Sequence, residues 1–312
     1  MTRSRSWIPY AGLLVLFWGV WGAFSGEPTA RYGYPDEMVY VIWAFTMLIP
    51  CWFALRGGVR IDRRPVAMRY GLLVGLTGAG GQLILFKALT IGPAYLIFPL
   101  ISISPAITVL MAVAILRERI PRLAVVGVVT ALVAIVLFSI SGDGGNADAG
   151  LWLPLALVVA VAWGVQAYFM KKAATVGVND GTTFMWMTVS GLVLVPVAII
   201  MMGGIPTDAP WQAPALTVGT QLLNAVGALF LVMALSRGKA SIVAPSTNAL
   251  APVLTIVLSL IAYQTLPSAF AAIGIVLAIA GSTLMVYADE SRGEDLQHAP
   301  DDVLQAPGTR VR

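Results

Sequence analysis

Ten apolar stretches run the length of this chain, and seven of them carry no charged residue. They lie near residues 7–25, 39–55, 69–91, 94–116, 122–140, 151–171, 183–203, 214–236, 240–263 and 267–288. Each is about long enough to cross a ~30 Å hydrocarbon layer at 1.5 Å per helical residue. Inside such a layer every backbone N–H and C=O must find its partner within the protein, which leaves helices or a closed barrel. A barrel would show short segments of alternating polarity, whereas these runs are unbroken. Composition points the same way. Of the 312 residues, 58% are hydrophobic and 11% charged, against about a quarter charged in soluble domains. Too few polar residues exist to coat a globule of this size. The fold class expected is all-α and integral to the membrane, with ten transmembrane helices.

Basic residues set the orientation. One side of the membrane collects Arg3 and Arg5, then Arg56, Arg60, Arg63, Arg64 and Arg69, then Arg117, Arg119 and Arg122, then Lys171 and Lys172, then Arg237 and Lys239. The other side holds Arg31, with Lys87 at a span end, and the acids Glu27, Asp36, Glu37, Asp143, Asp148 and Asp208. Both termini are therefore expected in the cytoplasm, in a multi-pass protein of the cytoplasmic membrane. The apolar run at the N-terminus continues to about Ser25 with no clear small-residue cleavage site, and it reads as a retained span. The single cysteine, Cys51, allows no intrachain disulfide. The polar segment after Tyr287 reads as a disordered tail.

Shifted by about 146 residues, the chain meets itself. "FWGVWG" (17–22) falls on "AWGVQA" (162–167) at offset 145. Pro50 falls on Pro196, and "FKALTIG" (86–92) on "VMALSRG" (232–238), at 146. Pro105 and Gly127 fall on Pro252 and Gly274 at 147. Tryptophan, glycine and proline landmarks recur in the same order. The expected organisation is a five-helix unit over 7–140, a second over 151–288 and a tail over 289–312. Because five is odd, the second unit must enter the membrane from the opposite side, so the two are an inverted pair. Such pairs build a solute site at their interface near mid-membrane and expose it to each side in turn.

These features resemble the EamA-like branch of the drug/metabolite transporter superfamily. The resemblance rests on "FWGVWG", on "KALTIGPAYLIFPLISISPAITVLMAVAILRERI" across the third and fourth spans, and on the glycine nine residues after Glu118. It covers residues 7–288. The Gly-Glu-Arg-like end of the family's fourth span stands here as "LRERI", with Arg117 in the glycine's place. The second copy, "AYQTLP", has Thr265 where the glutamate would be. The resemblance implies a secondary carrier of small metabolites or drug-like solutes, often an exporter, with a central cavity between the halves.

Candidate cavity residues come in repeat-related sets. Trp18, Trp21, Gly22 and Ser25 share a face of the first span; their mates are Trp163, Gln166, Ala167 and Met170. Two roles are open: aromatic cavity walls, or anchors and helix contacts. Gly71, Gly75, Gly78 and Gln82 share a face of the third span. The mates of the last three are Gln221, Asn224 and Ala228. Glycines allow close helix approach, and amides bond across helices or line a wet cavity. Pro105 and Pro252 each free a carbonyl in the fourth and ninth spans. Ser102, Ser246, Thr247 or Asn248 could satisfy it, or the interrupted helix could hold solute, with Asn248 the foremost candidate there. Glu118 sits among Arg117, Arg119 and Arg122, in a local ion cluster or an inner gate. Lys87 is open between a snorkelling cation and a charge at the outer mouth of the cavity, lying ~140° around its helix from Gln82.

Absences narrow the function. No Asp or Glu lies inside any of the ten spans, which disfavours proton exchange through a membrane carboxylate. No phosphate loop for ATP is present. No acid–base pair or metal-ligand set lies in the spans, so an intramembrane enzyme is least favoured and no cofactor is expected. A non-transporting scaffold or lipid-handling protein stays as the alternative. The partners expected are a small-molecule solute and membrane lipid, not nucleic acid, with oligomeric state open.

Overall fold

The computed structural model describes residues 7–56, 59–101, 103–104, 107, 122–140, 149–206, 208–237, 240–264 and 266–297. All regular structure among the described residues is helical. The helices are α1 (Ile8–Phe24), α2 (Glu27–Tyr32), α3 (Asp36–Thr46), α4 (Leu48–Arg56), α5 (Pro65–Ile91) and α6 (Ala94–Ile101). Then come α7 (Arg122–Ile140), α8 (Ala149–Thr175), α9 (Asp180–Val193), α10 (Val195–Met202), α11 (Gln212–Arg237), α12 (Ala240–Tyr263) and α13 (Ala269–Gln297).

Six segments are long and apolar enough to cross a membrane: Ile8–Tyr32, Asp36–Arg56, Pro65–Ile91, Gly150–Met170, Asp180–Met202 and Gln212–Ala234. Shorter apolar helices run over Leu250–Tyr263 and Ala269–Gly281. The outer surface is greasy where a water-soluble protein would be charged. Ile200 is 78% exposed, Trp211 74% and Leu266 92%, as expected of side chains that face lipid.

Two expected spans break at related places. Met47 separates α3 from α4, and Leu194 separates α9 from α10. Each break lies just before a proline, Pro50 or Pro196, which cannot donate to the carbonyl one turn back. Two expectations differ from the structure, and one open alternative is decided. The loop after the first span forms α2, opened by Glu27-Pro28 and closed by Gly33 in the left-handed region at φ 61°. The ninth span is one helix through Pro252, not an interrupted one, since a proline in a long helix frees only a single carbonyl. The last helix continues to Gln297, into the expected tail, because Ala, Glu, Arg, Leu and Gln favour helix and no proline intervenes. Residues 298–312 lie outside the described residues, as do Pro105 and Arg117–Arg119.

Helix directions follow from which ends meet. The C-terminal ends of α1 and α5 share a recess that holds Ser25 and Thr90. At the same end Gly92 packs on Trp152, near the start of α8. At the other end the start of α5 meets the end of α8, through Arg64 and Val176. Thus α1 and α5 run one way and α8, the repeat mate of α1, runs the other.

The helices approach closely at glycines, and the approaches recur at the repeat offset. Gly19 in α1 lies on Leu254 of α12, and Gly164 in α8 lies on Ile107, whose sequence mate is Leu254. Gly227 in α11 lies under Trp18, and its mate Gly81 in α5 lies under Trp163. A Cβ at Gly75 would stand 2.6 Å from the main-chain oxygen of Trp186, which cannot yield as a side chain can. At Gly80 a Cβ would meet nothing within 4 Å. Gly75→Val is therefore expected to cost about 1–3 kcal/mol or more by overpacking, read as a lower Tm in detergent micelles. Gly80→Ala is expected to hold Tm or raise it slightly. Equal Tm values for the two variants would contradict this packing.

Candidate functional site

The site is built on two seams, each joining a helix of one half to a helix of the other. In the first, α1 lies on α11. Trp18 donates its indole N–H to the main-chain oxygen of Asn224 at 3.1 Å. Trp21, one turn on, donates to Oε1 of Gln221 at 3.1 Å. Positions rise along α1 as they fall along α11, so the helices are antiparallel. Trp21 is buried and meets Phe98 of α6 edge-on, with ring centroids 5.4 Å apart. Gly22 abuts Thr255 of α12, whose hydroxyl donates to the Gly19 carbonyl at 3.2 Å.

The second seam joins α8 to α5. Trp163 donates to the main-chain oxygen of Gly78 at 3.4 Å. Gly78 is the sequence mate of Asn224, as Trp163 is of Trp18. In each seam the accepting carbonyl lies three residues before a glycine, Gly227 or Gly81, on which the indole rests. The missing side chain lets the ring reach the helix backbone. Beyond this shared bond the seams diverge. Gln166, the mate of Trp21, lays its amide against Gly78, and Ser190 of α9 fills the space beside Gly75. The first half thus has bare helix where the second presents Gln221 and Asn224.

Among the described residues, three buried amides have a nitrogen without a hydrogen-bond partner: Gln82 Nε2, Gln221 Nε2 and Asn224 Nδ2. Gln82 is 4% exposed, Gln221 0% and Asn224 5%. Nearly every buried polar group in a protein is paired. Trp186 Nε1 and Ser190 Oγ of α9 are also unpaired, above Gly71 and Gly75.

At the end reached by α1 and α5, Ser25, Thr29, Asp36 and Thr90 line a small open recess with room for about one water. Ser25 is buried and bonds to its own helix at Gly22, 3.5 Å away. Lys87 reaches Asp36 at 3.7 Å, and Arg31 pairs with Glu27. Two acids just beyond the expected ends of the first two spans are buried here and not in a solvent loop. Glu27 and Asp36 are 6% and 8% exposed and lie within segments able to cross a membrane. The reason is α2, which folds residues 27–32 back against the bundle instead of leaving them in a solvent loop. Lys87 has a named partner as well as an exposed tip.

The opposite end carries a bridge between the halves. The Asp62 amide donates to Thr182 Oγ1 at 2.9 Å, and Asn179 Nδ2 donates to the Arg60 carbonyl at 2.9 Å. Arg64 donates to the carbonyls of Val176 and Gly177, each at 3.2 Å. Asn179 also caps α9, accepting from the Thr182 amide at 2.8 Å. The Arg64 guanidinium, bonded to Asp62, holds that carboxyl below its usual range. The ion pair therefore persists until the pH falls through that lowered value.

Both halves of this arrangement match one family model, described as the EamA-like transporter family, over residues 5–140 and again over 150–287. The chain belongs to the EamA-like transporter family. It is accordingly a multi-pass membrane protein of a transporter family in the drug/metabolite superfamily, and that family's members are not enzymes. An uncharacterized protein of Methanocaldococcus jannaschii is 35% identical over 74 residues, 24% of this chain and 54% of that protein. The chain thus spans about half the length of that curated relative. A solved crystal structure shares the fold, with a TM-score of 0.62 at 20% identity over 91% of this chain and 99% of its own.

Among the residues expected at the site, the structure joins Trp18, Trp21, Gln221 and Asn224 in one seam and Trp163 and Gln166 in the other. Gln82 lies on α5 beyond the second seam, and Ser25 and Lys87 stand apart at the helix ends. Ser102 lies outside the described residues, and so does the side chain of Asn248, though its backbone lies in α12. Sequence reasoning missed Ser190, Trp186, Phe98 and Thr255, for no periodicity shows which neighbour faces a glycine. Pro35 before Asp36 did mark a helix start, which would have brought that acid into α3. A double-mutant cycle of Trp21→Phe and Gln221→Leu tests the central bond. Each single change is expected to cost about 1–3 kcal/mol, with a coupling of about 1 kcal/mol in chemical unfolding. Zero coupling would remove the bond.

Proposed function

We propose that this EamA-like protein is a secondary carrier that moves a small solute across the cytoplasmic membrane by alternating access. The two units, 7–140 and 151–288, act as inverted five-helix repeats, with both termini in the cytoplasm. One observation carries the proposal. The Trp18–Asn224 and Trp163–Gly78 bonds join opposite halves at matched positions, on helix pairs that run in opposite senses. Two halves held by such equivalent contacts can exchange roles, so opening one side and closing the other costs little net free energy. Solute then sits between the seams, near Trp18, Trp21, Gln82, Trp163, Gln166, Gln221 and Asn224. Asn248 and Ser102 stay candidates from the sequence alone, and in this reading Ser25 and Lys87 stand at the outer mouth.

The bridge of Arg60, Asp62 and Arg64 to residues 176–182 supports a closed inner end in this arrangement. That end carries Arg56, Arg60, Arg63, Arg64 and Arg69, which the positive-inside rule places in the cytoplasm. Outward opening then requires these hydrogen bonds, and inward opening requires breaking them.

Purified protein in liposomes, given a panel of metabolites with a proton gradient imposed or absent, is expected to show saturable flux of at least one solute class. No flux for any solute would defeat the carrier proposal. Cysteines placed at Arg60 and Asn179 and joined by a reducible cross-linker are expected to stop flux, with recovery on reduction. Undiminished flux in the cross-linked protein would rule out rocking at this end.

A further inference from the structure

The amide of Gln221 is held in one orientation by its partner. An indole nitrogen only donates, so the group facing Trp21 at 3.1 Å must be the oxygen of Gln221. The NH2 group therefore points elsewhere, and it has no partner although Gln221 is fully buried. Asn224 lies three residues on, ~60° around the same helix face. Its main-chain oxygen is taken by Trp18, and its own Nδ2 is unpartnered at 5% exposure. Leaving such donors unmet costs more than any ordinary contact between them could return.

Two further facts define the arrangement. The pair occurs once, since the mates of Gln221 and Asn224 are Gly75 and Gly78, with Ser190 and Gln166 filling the space beside them. The framework is therefore repeated, but the donors are not. Moreover, neither unmet atom is an acceptor. A cation would meet N–H dipoles, whereas a carbonyl or carboxylate oxygen would meet unpaired donors, the one on Gln221 already oriented by Trp21.

We propose that the amide groups of Gln221 and Asn224 form a one-sided donor site that binds the carbonyl or carboxylate oxygens of the transported solute, beside the Trp18 and Trp21 indoles. The proposal rests on the carrier reading and adds the chemical class of the solute. Donor geometry selects neutral or anionic oxygen-bearing solutes over organic cations of the same shape.

The test uses three probes with one ring: benzoate, benzamide and benzylammonium. Ligand-induced Tm shifts of the intact chain in detergent measure binding without any need for flux. Benzoate and benzamide are expected to stabilise the protein, and benzylammonium to do so at least tenfold more weakly in apparent Kd. Gln221→Leu is expected to weaken benzoate about tenfold, and Gly80→Ala not at all. In its ionised form Gln221→Glu keeps an oxygen for Trp21 but has no donor, so it should reverse the preference towards benzylammonium, whose charge favours that form, and it guards against a Leu variant that fails to fold. Equal shifts for all three probes, shifts unchanged in both Gln221 variants, or no shift for any probe (a site holding only water) would each overturn the proposal. Binding with these preferences but no flux would instead defeat the carrier reading and leave the donor site standing. Flux of a solute with selectivity untouched in Gln221→Glu would do the opposite.

Discussion

The two indole-to-carbonyl bonds, Trp18 to Asn224 and Trp163 to Gly78, are the contacts on which the interface between the halves depends. A helix in hydrocarbon gains little from hydrophobic attraction to another helix, because lipid is as apolar as its side chains. Close packing and hydrogen bonds must hold the bundle instead. A main-chain carbonyl within a helix is normally shielded by the side chain three or four residues on. Here that residue is Gly227 or Gly81, and the bare backbone lets the indole settle and donate. Glycine and tryptophan thus act as one unit, and the unit appears once per half.

Among the described residues three ion pairs form, and they lie at the two ends of the bundle. Lys87 with Asp36 and Arg31 with Glu27 lie at one end, and Arg64 with Asp62 at the other. A buried carboxylate is costly unless a cation or hydrogen bond compensates it, and α2 brings Arg31 to Glu27 for that reason. Between the ends the polar groups are amides, hydroxyls and indoles. Such groups can bind and release an oxygen-bearing solute without the desolvation cost of a bare charge.

Much of the fold was legible because hydrocarbon imposes a simple rule. Span ends near Ile8, Pro65, Ile91, Arg122, Tyr263 and Arg237 fell within a few residues of the helix ends. Pro50 and Pro196 marked the related breaks. The pairing of Trp18 with Asn224 was not legible, since the residues lie 206 positions apart and no local pattern links them. The buried state of Glu27 and Asp36 was hidden for another reason. A six-residue helix is too short for a periodic signal, so α2 looked like a polar loop.

The sequence by itself determined that the chain is helical and membrane-borne, that its halves repeat, and which side chains are polar at depth. Those follow from run length, offset and composition, which are properties of neighbours along the chain. Only the tertiary structure decided which amide faces which indole, and hence that Gln221 is left with a donor and not an acceptor. That depends on helices far apart in sequence being brought to hydrogen-bond distance, and a bond of 3.1 Å to a group that can only donate leaves the amide a single orientation.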